Sequence, residues 1–422
     1  MNLAALKSSS RRRVVITGIG AVTPLGLTMQ DTWNGLVEGI SVAGPVKQFD
    51  ASGFPVTMAY EVAEFTLAKE LVLEHEVPHV SGICAFAVNA TKEALEQAKL
   101  PVAGPVSDRT AVCFGVGLKC PELAWYDQVH LPRRFDDPSL IPHIQYFPDQ
   151  MSAILGRLAG AGGGITSIHT ACASSGQAMG EAFEQIRSGD VDVVLTGGTD
   201  SMISPFYHTG FNLLGALSKR NDSPKTASRP FDRDRDGFVF GEGACVFVFE
   251  ELEHAKARGA KILGEVCGYG VTESAYRITD LHPEGTGPIE AMQMALEDAG
   301  IAPSDVGYIN AHGTSTQLND RIEALAISRV FGEFAPGTYV SSTKSMTGHM
   351  IAAAGAIEFA FCVKALEHQV LPPSINLFNP DPDCRVNLTP AKVSSHSMRY
   401  ALSNSVGFGG SNTAIIAGRG DV

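Results

Sequence analysis

One cysteine and two histidines have sequence surroundings that are typical of reactive groups. Cys172 lies in the segment TACASS, where the apolar pattern of a strand gives way to the pattern of a helix. The positive potential at a helix N-terminus favours the thiolate, which is the nucleophilic form of cysteine. His312, in NAHGTST, and His349, in STKSMTGH, each follow a predicted strand and lie at the edge of a loop.

Each of these residues taken alone also has an ordinary structural interpretation. Most free cysteines are buried structural residues, and a lone histidine in a loop usually serves the local fold. A third loop, NSVGFGGSN (404–412), carries an aromatic residue between glycines near the end of the chain. Three loops at strand ends, combined with a cysteine at a strand-to-helix junction, predict one catalytic site.

The elements that must position these residues are short apolar strands that alternate with longer helices, which predicts an α/β protein. The first strand begins at Val14 and is predicted to break at Gly18 and Gly20. Pro288 is predicted at the first position of a later helix. Further strands are predicted at 111–114, 165–170, 191–195, 245–249, 306–309 and 339–341, and further helices at 173–188 and 351–368.

The chain has no low-complexity linker, so we expect two similar halves that pack tightly against each other. Residues 1–13 are basic and are predicted to form a short disordered tail. The N-terminal half, 14–260, contains the candidate nucleophile. The C-terminal half, 261–422, contains both candidate histidines.

The composition favours a soluble, cytoplasmic enzyme. With 422 residues and 44% hydrophobic content, the chain is long enough to bury a large core. No apolar run approaches the ~20 residues that a membrane-spanning helix needs. The net charge of -13 argues against a nucleic-acid partner, because phosphate contacts need a positive surface. The eight cysteines form no CxxC pair, which fits a reducing compartment.

Three other motifs suggest chemistry that their details argue against. VVITGIG resembles a dinucleotide-binding turn, but Thr23 occupies the position of the third glycine. HEVPH matches a zinc-protease pattern, but Pro78 would cost ~3 kcal/mol inside the helix that this pattern requires. DRDRDG (232–237) begins like a calcium loop, but its twelfth position is Gly243 instead of glutamate. The sequence therefore predicts a charged turn at 232–237 and no metal site.

The segments around the candidate residues resemble those of the β-ketoacyl-acyl-carrier-protein synthases of the thiolase superfamily, specifically the elongating branch. TACASS, NAHGTST, STKSMTGH and GFGGSN occur in the order and spacing of that family, and RPFDRDRDGFVFGEG (229–243) adds a fifth match. The resemblance extends from residue 14 nearly to the end of the chain. It implies a thiolase-like, five-layered α-β-α-β-α duplicated fold, usually assembled as a dimer.

The resemblance also implies a decarboxylative condensation. Cys172 would take the growing acyl chain from a phosphopantetheine thioester. His312 and His349 would donate hydrogen bonds to the malonyl thioester and stabilise the enolate that forms when carbon dioxide leaves. Lys344 and Glu358 would form a pair that supports these histidines.

The remaining implied site residues bind or admit the substrate. Phe408 would act as a gate, and its N–H together with that of Cys172 would form an oxyanion hole. Thr314 and Thr316 would position the phosphopantetheine arm. Leu118, Phe211 and Thr279 are the other implied substrate-binding residues. No cofactor is expected beyond the phosphopantetheine of the carrier.

The implied partners are an acyl carrier protein and a second synthase subunit. Because the chain and its carrier are both acidic, docking is predicted at a local basic patch of Arg133 and Arg134, with Lys69 as a neighbour. Where relatives tend to be basic, before the helix near Val80, this chain has glutamates, and it also departs from their glycine-rich run at 115–120. The assembly is either a homodimer or a heterodimer with a chain-length-factor subunit.

Several alternatives remain open at this stage. Fatty-acid elongation competes with type II polyketide or polyene synthesis, although STKSMTGH favours the former. A non-catalytic partner subunit resembling a chain-length factor is disfavoured because Cys172 is present. A nicotinamide-dependent oxidoreductase is disfavoured by Thr23, as above.

Overall fold

The computed structural model describes residues 11–77, 80–117 and 148–421. The strands are β1 (Val14–Val22), β2 (Gly44–Pro45), β3 (Met58–Ala59), β4 (Thr110–Val116), β5 (Ile165–Ile168), β6 (Val193–Ser201), β7 (Glu242–Glu251), β8 (Gly264–Glu273), β9 (Val306–Asn310), β10 (Tyr339–Ser341), β11 (Val370–Leu371), β12 (Ser394–Ser395), β13 (Tyr400–Val406) and β14 (Ser411–Arg419). The helices are α1 (Met29–Val37), α2 (Gly82–Ala98), α3 (Pro148–Ala159), α4 (Ser174–Ser188), α5 (Pro205–Leu213), α6 (Leu252–Ala257), α7 (Thr286–Ala299), α8 (Gln317–Phe331), α9 (Lys344–Thr347) and α10 (Ala354–His368).

In the described part of the chain, ten strands form one mixed sheet in the order β10-β9-β13-β14-β8-β1-β7-β6-β4-β5. Its two halves repeat one pattern. In the first, β4 runs parallel to β5 and β6, and β7 runs antiparallel to β6 and β1. In the second, β9 runs parallel to β10 and β13, and β14 runs antiparallel to β13 and β8. A short antiparallel pairing of 14–16 with 264–266 joins the halves.

Helices lie outside each half of the sheet and between the halves. α2 packs on β1 and β7, α3 packs on β4 and β5, and α7 covers β8 and β14 with α8 beside it. α4 and α10 pack against each other and contact strands of both halves, so they form the middle layer. The order of layers is therefore α-β-α-β-α, and the predicted duplicated fold is confirmed.

Glycine pairs let the outer helices approach the sheet closely. A Cβ on Gly18 or Gly20 of β1 would lie 2.1 or 2.0 Å from a backbone carbonyl oxygen of α2. A Cβ on Gly268 or Gly270 of β8 would likewise lie 2.3 or 2.1 Å from a backbone carbonyl oxygen of α7. The prediction that the first strand breaks at its glycines is therefore wrong, because β1 continues to Val22 and uses them for helix packing.

Several other predicted boundaries also differ from the structure. The predicted strand 191–195 is β6, Val193–Ser201, and the predicted helix 351–368 is α10, which begins at Ala354. α7 begins two residues before Pro288, at Thr286. In the predicted tail, residues 1–10 lie outside the described chain, whereas Arg12 forms an ion pair with Asp192 and Arg13 pairs with Glu265 at 2.7 Å. The predicted division after residue 260 lies in the connection between α6 and β8. Among the described residues, no helix combines the length and the apolar character that a bilayer span requires.

The charged segment 232–237 is a turn, as predicted, and its charges are used within the fold. Arg235 is buried and pairs with Asp381 at 2.6 Å and with Asp320 at 3.6 Å. A carboxylate oxygen of Asp232 accepts two backbone N–H groups from the segment 378–379, at 2.7 Å each. The Arg235 Nε–H also donates to the Thr316 carbonyl at 2.9 Å, which fixes the turn beside the loop that contains His312.

Candidate active site

A strained turn between β5 and α4 presents Cys172. The cysteine lies in the 3-10 turn Ala171–Ala173, and Ala171 has a φ of 49°, in the left-handed region. This conformation costs roughly 1–3 kcal/mol for a residue other than glycine. Ser174 offsets part of that cost, because its Oγ accepts the Thr170 N–H at 2.9 Å and donates to the Ala171 carbonyl at 2.6 Å.

His349 directly contacts the cysteine. Its Nε2 lies 3.1 Å from the Sγ of Cys172, and both side chains are buried. The backbone N–H of His349 donates to the Val239 carbonyl at 2.9 Å, which holds the residue just after α9. The ring of Phe238 packs edge-on against the imidazole. The structure therefore brings together a nucleophile and an imidazole that are 177 residues apart in the chain.

A buried glutamate that the sequence analysis missed holds the His312 loop. The carboxylate of Glu323, in α8, accepts the N–H groups of His312 and Gly313, each at 2.7 Å. Burial raises the pKa of Glu323 to about 7, and these two bonds act in the opposite direction. The available signal was an acidic residue within the apolar stripe of α8, three residues after Asp320 and four before Ile327.

Lys344 and Glu358 form the predicted pair and lie behind His312. The Lys344 ammonium contacts Glu358, donates to the His312 carbonyl at 2.5 Å, and lies 3.2 Å from the His312 Nδ1. An ammonium group has no lone pair, so Nδ1 must be the acceptor. Burial and the Lys344 charge hold the pKa of His312 well below its ordinary value. The neutral ring therefore carries its proton on Nε2 and can donate from that atom.

The protonation state of Cys172 differs from the prediction. Burial raises the pKa of its thiol to about 12, although the Lys344 charge and a hydrogen bond from the Phe408 N–H oppose this shift. α4 begins at Ser174, two residues after the cysteine. The resting residue is a thiol. Its closest proton acceptor is His349, whose pKa is held well below its usual range, chiefly by burial.

One cavity of about 310 Å³ contains these reactive groups. The predicted site residues that line it are Cys172, Phe211, Thr279, His312, Thr314, Thr316, His349 and Phe408. The hydroxyl groups of Thr314 and Thr316 lie 2.9 Å apart and form a polar wall. The lining changes from buried at the cysteine and histidines to exposed at Leu214, Thr279 and Leu318, which defines the mouth of the cavity.

Phe408 lies in the tight connection between β13 and β14. Its N–H donates to the cysteine sulfur, and its ring stacks on Phe211 with 6.0 Å between centroids. Gly409 and Gly410, which follow it, have φ values of 98° and 106°, a region that favours glycine.

Some predicted residues cannot be placed in the cavity. Leu118, Arg133 and Arg134 lie outside the described residues. Lys69 is exposed on a single 3-10 turn, Lys69–Leu71, and is not part of the lining. The predicted carrier-docking patch therefore stays a prediction.

Asp200, at the end of β6, is a second functional candidate that the sequence analysis missed. It is buried, and one carboxylate oxygen accepts the Ala352 N–H at 3.0 Å. Within the described chain, its Oδ1 has no hydrogen-bond partner. Burial raises the pKa of Asp200 to about 7, and the negative charge in turn raises the pKa of the neighbouring Cys172 thiol.

Asp200→Asn is expected to make stability less sensitive to pH. Between the ordinary carboxyl pKa and about 7, the folded state keeps a proton that the unfolded state has lost. The free energy of unfolding therefore falls as pH rises through this window, by about 1.4 kcal/mol per unit from this group. Urea unfolding at pH 5 and pH 8 measures the slope, with the exposed Asp222→Asn as control. Equal slopes for wild type and Asp200→Asn would contradict this assignment.

Comparison with known proteins agrees with this geometry. Residues 11–255 match the family model for the N-terminal domain of β-ketoacyl synthases, and residues 263–378 match the model for the C-terminal domain. A 3-oxoacyl-(acyl-carrier-protein) synthase 2 from Synechocystis sp. is 42% identical over 96% of this chain and 97% of the relative. The enzyme of the same name from Coxiella burnetii is 42% identical over 97% of this chain and 99% of the relative.

Solved structures of ketosynthases share the fold. A β-ketoacyl synthase from Burkholderia phymatum superposes with a TM-score of 0.89 at 32% identity, covering 97% of this chain and 99% of that one. A type II polyketide ketosynthase, solved in complex with its acyl-carrier protein, gives 0.87 at 34% identity, covering 97% and 100%. Sequence, fold and site together place this chain in the β-ketoacyl synthase family.

Proposed function

We propose that this protein catalyses a decarboxylative Claisen condensation between a cysteine-bound acyl chain and a malonyl thioester on an acyl carrier protein. The products are a β-ketoacyl thioester and carbon dioxide. One observation carries the proposal: the Cys172 sulfur and a ring nitrogen each of His312 and His349 lie within 4.8 Å of one another at the buried end of the cavity. The full-length similarity to 3-oxoacyl-(acyl-carrier-protein) synthases supports it.

In the first half of the reaction the acyl group moves to Cys172. The thiol attacks the thioester carbonyl and gives its proton to His349, which lies 3.1 Å away. The backbone N–H groups of Cys172 and Phe408 form the oxyanion hole that stabilises the charge on the carbonyl oxygen, and the Phe408 N–H donates to the sulfur before the substrate enters. As the carbon–sulfur bond to the carrier breaks, its thiolate takes the proton and leaves as a thiol. The ring of Phe408 must move to admit the next substrate.

In the second half a malonyl thioester enters the same cavity. Its carboxylate leaves as carbon dioxide, and its carbonyl becomes an enolate. The Nε2 proton of His312 faces that oxygen because Lys344 occupies the Nδ1 side of the ring. The enolate carbon attacks the acyl-cysteine carbonyl, the carbon–sulfur bond to Cys172 breaks, and the leaving thiolate takes one proton from water. Lys344, Glu358 and Glu323 are positioning residues in this scheme.

A condensation assay with acyl- and malonyl-loaded carrier protein tests the proposal. We expect mass spectrometry to detect the carrier with a β-ketoacyl chain two carbons longer than the acyl substrate, and an equal amount of carbon dioxide. The absence of both products would refute the proposed activity.

The same assay separates fatty-acid elongation from polyketide elongation. Identity of 42% to the 3-oxoacyl synthases favours a single condensation per cycle. The structural likeness to a polyketide ketosynthase at 34% identity favours the second candidate, in which several malonyl units are added in succession. With excess malonyl carrier and no reductase, one added unit supports the first pathway, and a ladder of products supports the second.

The proposed assembly is a dimer built at the β5 edge of the sheet. β5 is the terminal strand of that sheet, and Ile165 in it is exposed, as an apolar edge that pairs with a second chain would be. One related structure contains a ketosynthase with its chain length factor, so a heterodimer is the alternative partner arrangement. Native mass spectrometry of the chain alone should give twice 44.6 kDa for a homodimer. We also propose a cytoplasmic location, where the free cysteines of the described chain stay reduced.

A further inference from the structure

Exposed apolar side chains surround the mouth of the cavity. Leu213 and Leu214 lie at the end of α5, Ile278 lies between β8 and α7, and Leu318 lies at the start of α8. We name these four residues the apolar rim. Leu213 and Ile278 are 80% and 84% exposed, which is far more than an aliphatic side chain usually retains.

The apolar rim is continuous with the reactive site. Leu214 and Leu318 line the cavity itself. Leu213 adjoins Leu214 in the chain, and the carbonyl oxygen of Ile278 accepts the N–H of Gly409, the residue after Phe408. Three separate elements thus place aliphatic side chains around one opening, whereas scattered surface residues would need no explanation.

Two ion pairs of the described residues lie at the mouth. Arg220 pairs with Asp236 at 3.4 Å, and Arg277 pairs with Asp280 at 3.2 Å. Both aspartates also line the cavity. A partner that approaches this opening therefore meets paired ions and uncovered aliphatic groups, in a protein whose net charge is -13. Long-range attraction of an acidic partner is weak under these conditions.

We propose that the apolar rim is the docking surface of the carrier protein, and that burial of aliphatic side chains supplies more of its affinity than ion pairing does. This inference rests on the proposed function, because a substrate tethered to a carrier must be delivered at the mouth. The partner is a carrier whose contact surface is itself apolar around the attached arm. Docking at a basic patch, such as the predicted one with Lys69, is the competing outcome.

The double variant Leu213→Gln/Ile278→Gln tests the proposal with neutral substitutions at two positions outside the cavity lining. We compare kcat/KM for a carrier-bound acyl substrate with kcat/KM for a small thioester mimic. The value for the carrier-bound substrate divided by the value for the mimic should fall about tenfold. The variant loses two aliphatic contacts with the carrier, and the mimic makes neither of them. Val106→Gln, at an exposed aliphatic residue that does not line this cavity, is the matched control and should keep the wild-type ratio.

Salt supplies the second readout. Between about 0.05 M and about 0.5 M sodium chloride, the wild-type KM for the carrier-bound substrate should change by less than about twofold, since screening weakens ion pairs and leaves apolar contacts intact. A steep rise of KM with salt, or an unchanged ratio in the double variant, would overturn the inference. If either glutamine impairs folding, Leu213→Ala and Ile278→Ala should each give a smaller fall in the same ratio. If the wild type condenses carrier-bound substrates and the double variant keeps the wild-type ratio, the proposed function stands and only this docking surface is rejected.

Discussion

Replacing Cys172 with alanine should lower the condensation rate by at least about 10⁴-fold, because removal of a catalytic nucleophile typically has an effect of this size. Among the described residues, Cys172 is the only cysteine that lines the cavity. After incubation with acyl carrier protein, intact-mass measurement should find one acyl group on the wild type and none on Cys172→Ala. Peptide mapping should assign that group to residue 172.

Cys267→Ala provides the matched control. Cys267 is free and partly exposed, and it does not line the cavity. Its removal should change neither acylation nor condensation. Acylation of any cysteine other than Cys172, or substantial condensation by Cys172→Ala, would show that the nucleophile has been misassigned.

The second large effect is expected on decarboxylation. His312→Ala and His349→Ala should each lower carbon dioxide release from malonyl carrier by about 10²–10³-fold, because each removes an N–H donor to the developing enolate. His312 donates from Nε2 throughout, and neutral His349 donates from Nε2 in the tautomer that it adopts when that nitrogen no longer accepts the thiol proton. Cys172→Ala should still release carbon dioxide, since the enolate forms without the thiol. Single-turnover release of labelled carbon dioxide measures this step apart from condensation.

His75→Ala, at an exposed histidine, is the control for this experiment and should release carbon dioxide at the wild-type rate. Retention of wild-type release by both alanine variants, His312→Ala and His349→Ala, would be incompatible with the enolate mechanism. Loss of release in Cys172→Ala to the same extent would instead mean that the thiol takes part in breaking the carbon–carbon bond.

The order and spacing of the motifs were enough to predict which residues meet and what kind of fold holds them. The segments around Cys172, His312, His349 and Phe408 each lie at the end of a strand, and the structure brings all four to one cavity. Alternating apolar strands and helices predicted an α/β architecture, because the period of apolar residues follows from backbone geometry alone. The predicted strand 339–341 matches β10 residue for residue.

The charge states of the site residues and the contacts that support them depend on the three-dimensional fold. The Cys172 pKa depends on how much water the fold removes, and no local pattern reports this, so burial raised it where the helix start had suggested the opposite. The proton position on His312 follows from Lys344, which lies 32 residues further along the chain. Glu323 and Asp200 were missed for the same reason. In the sequence, such a carboxylate is only an acidic residue that interrupts an apolar pattern. Its function becomes visible when the fold brings backbone N–H groups that donate hydrogen bonds to it.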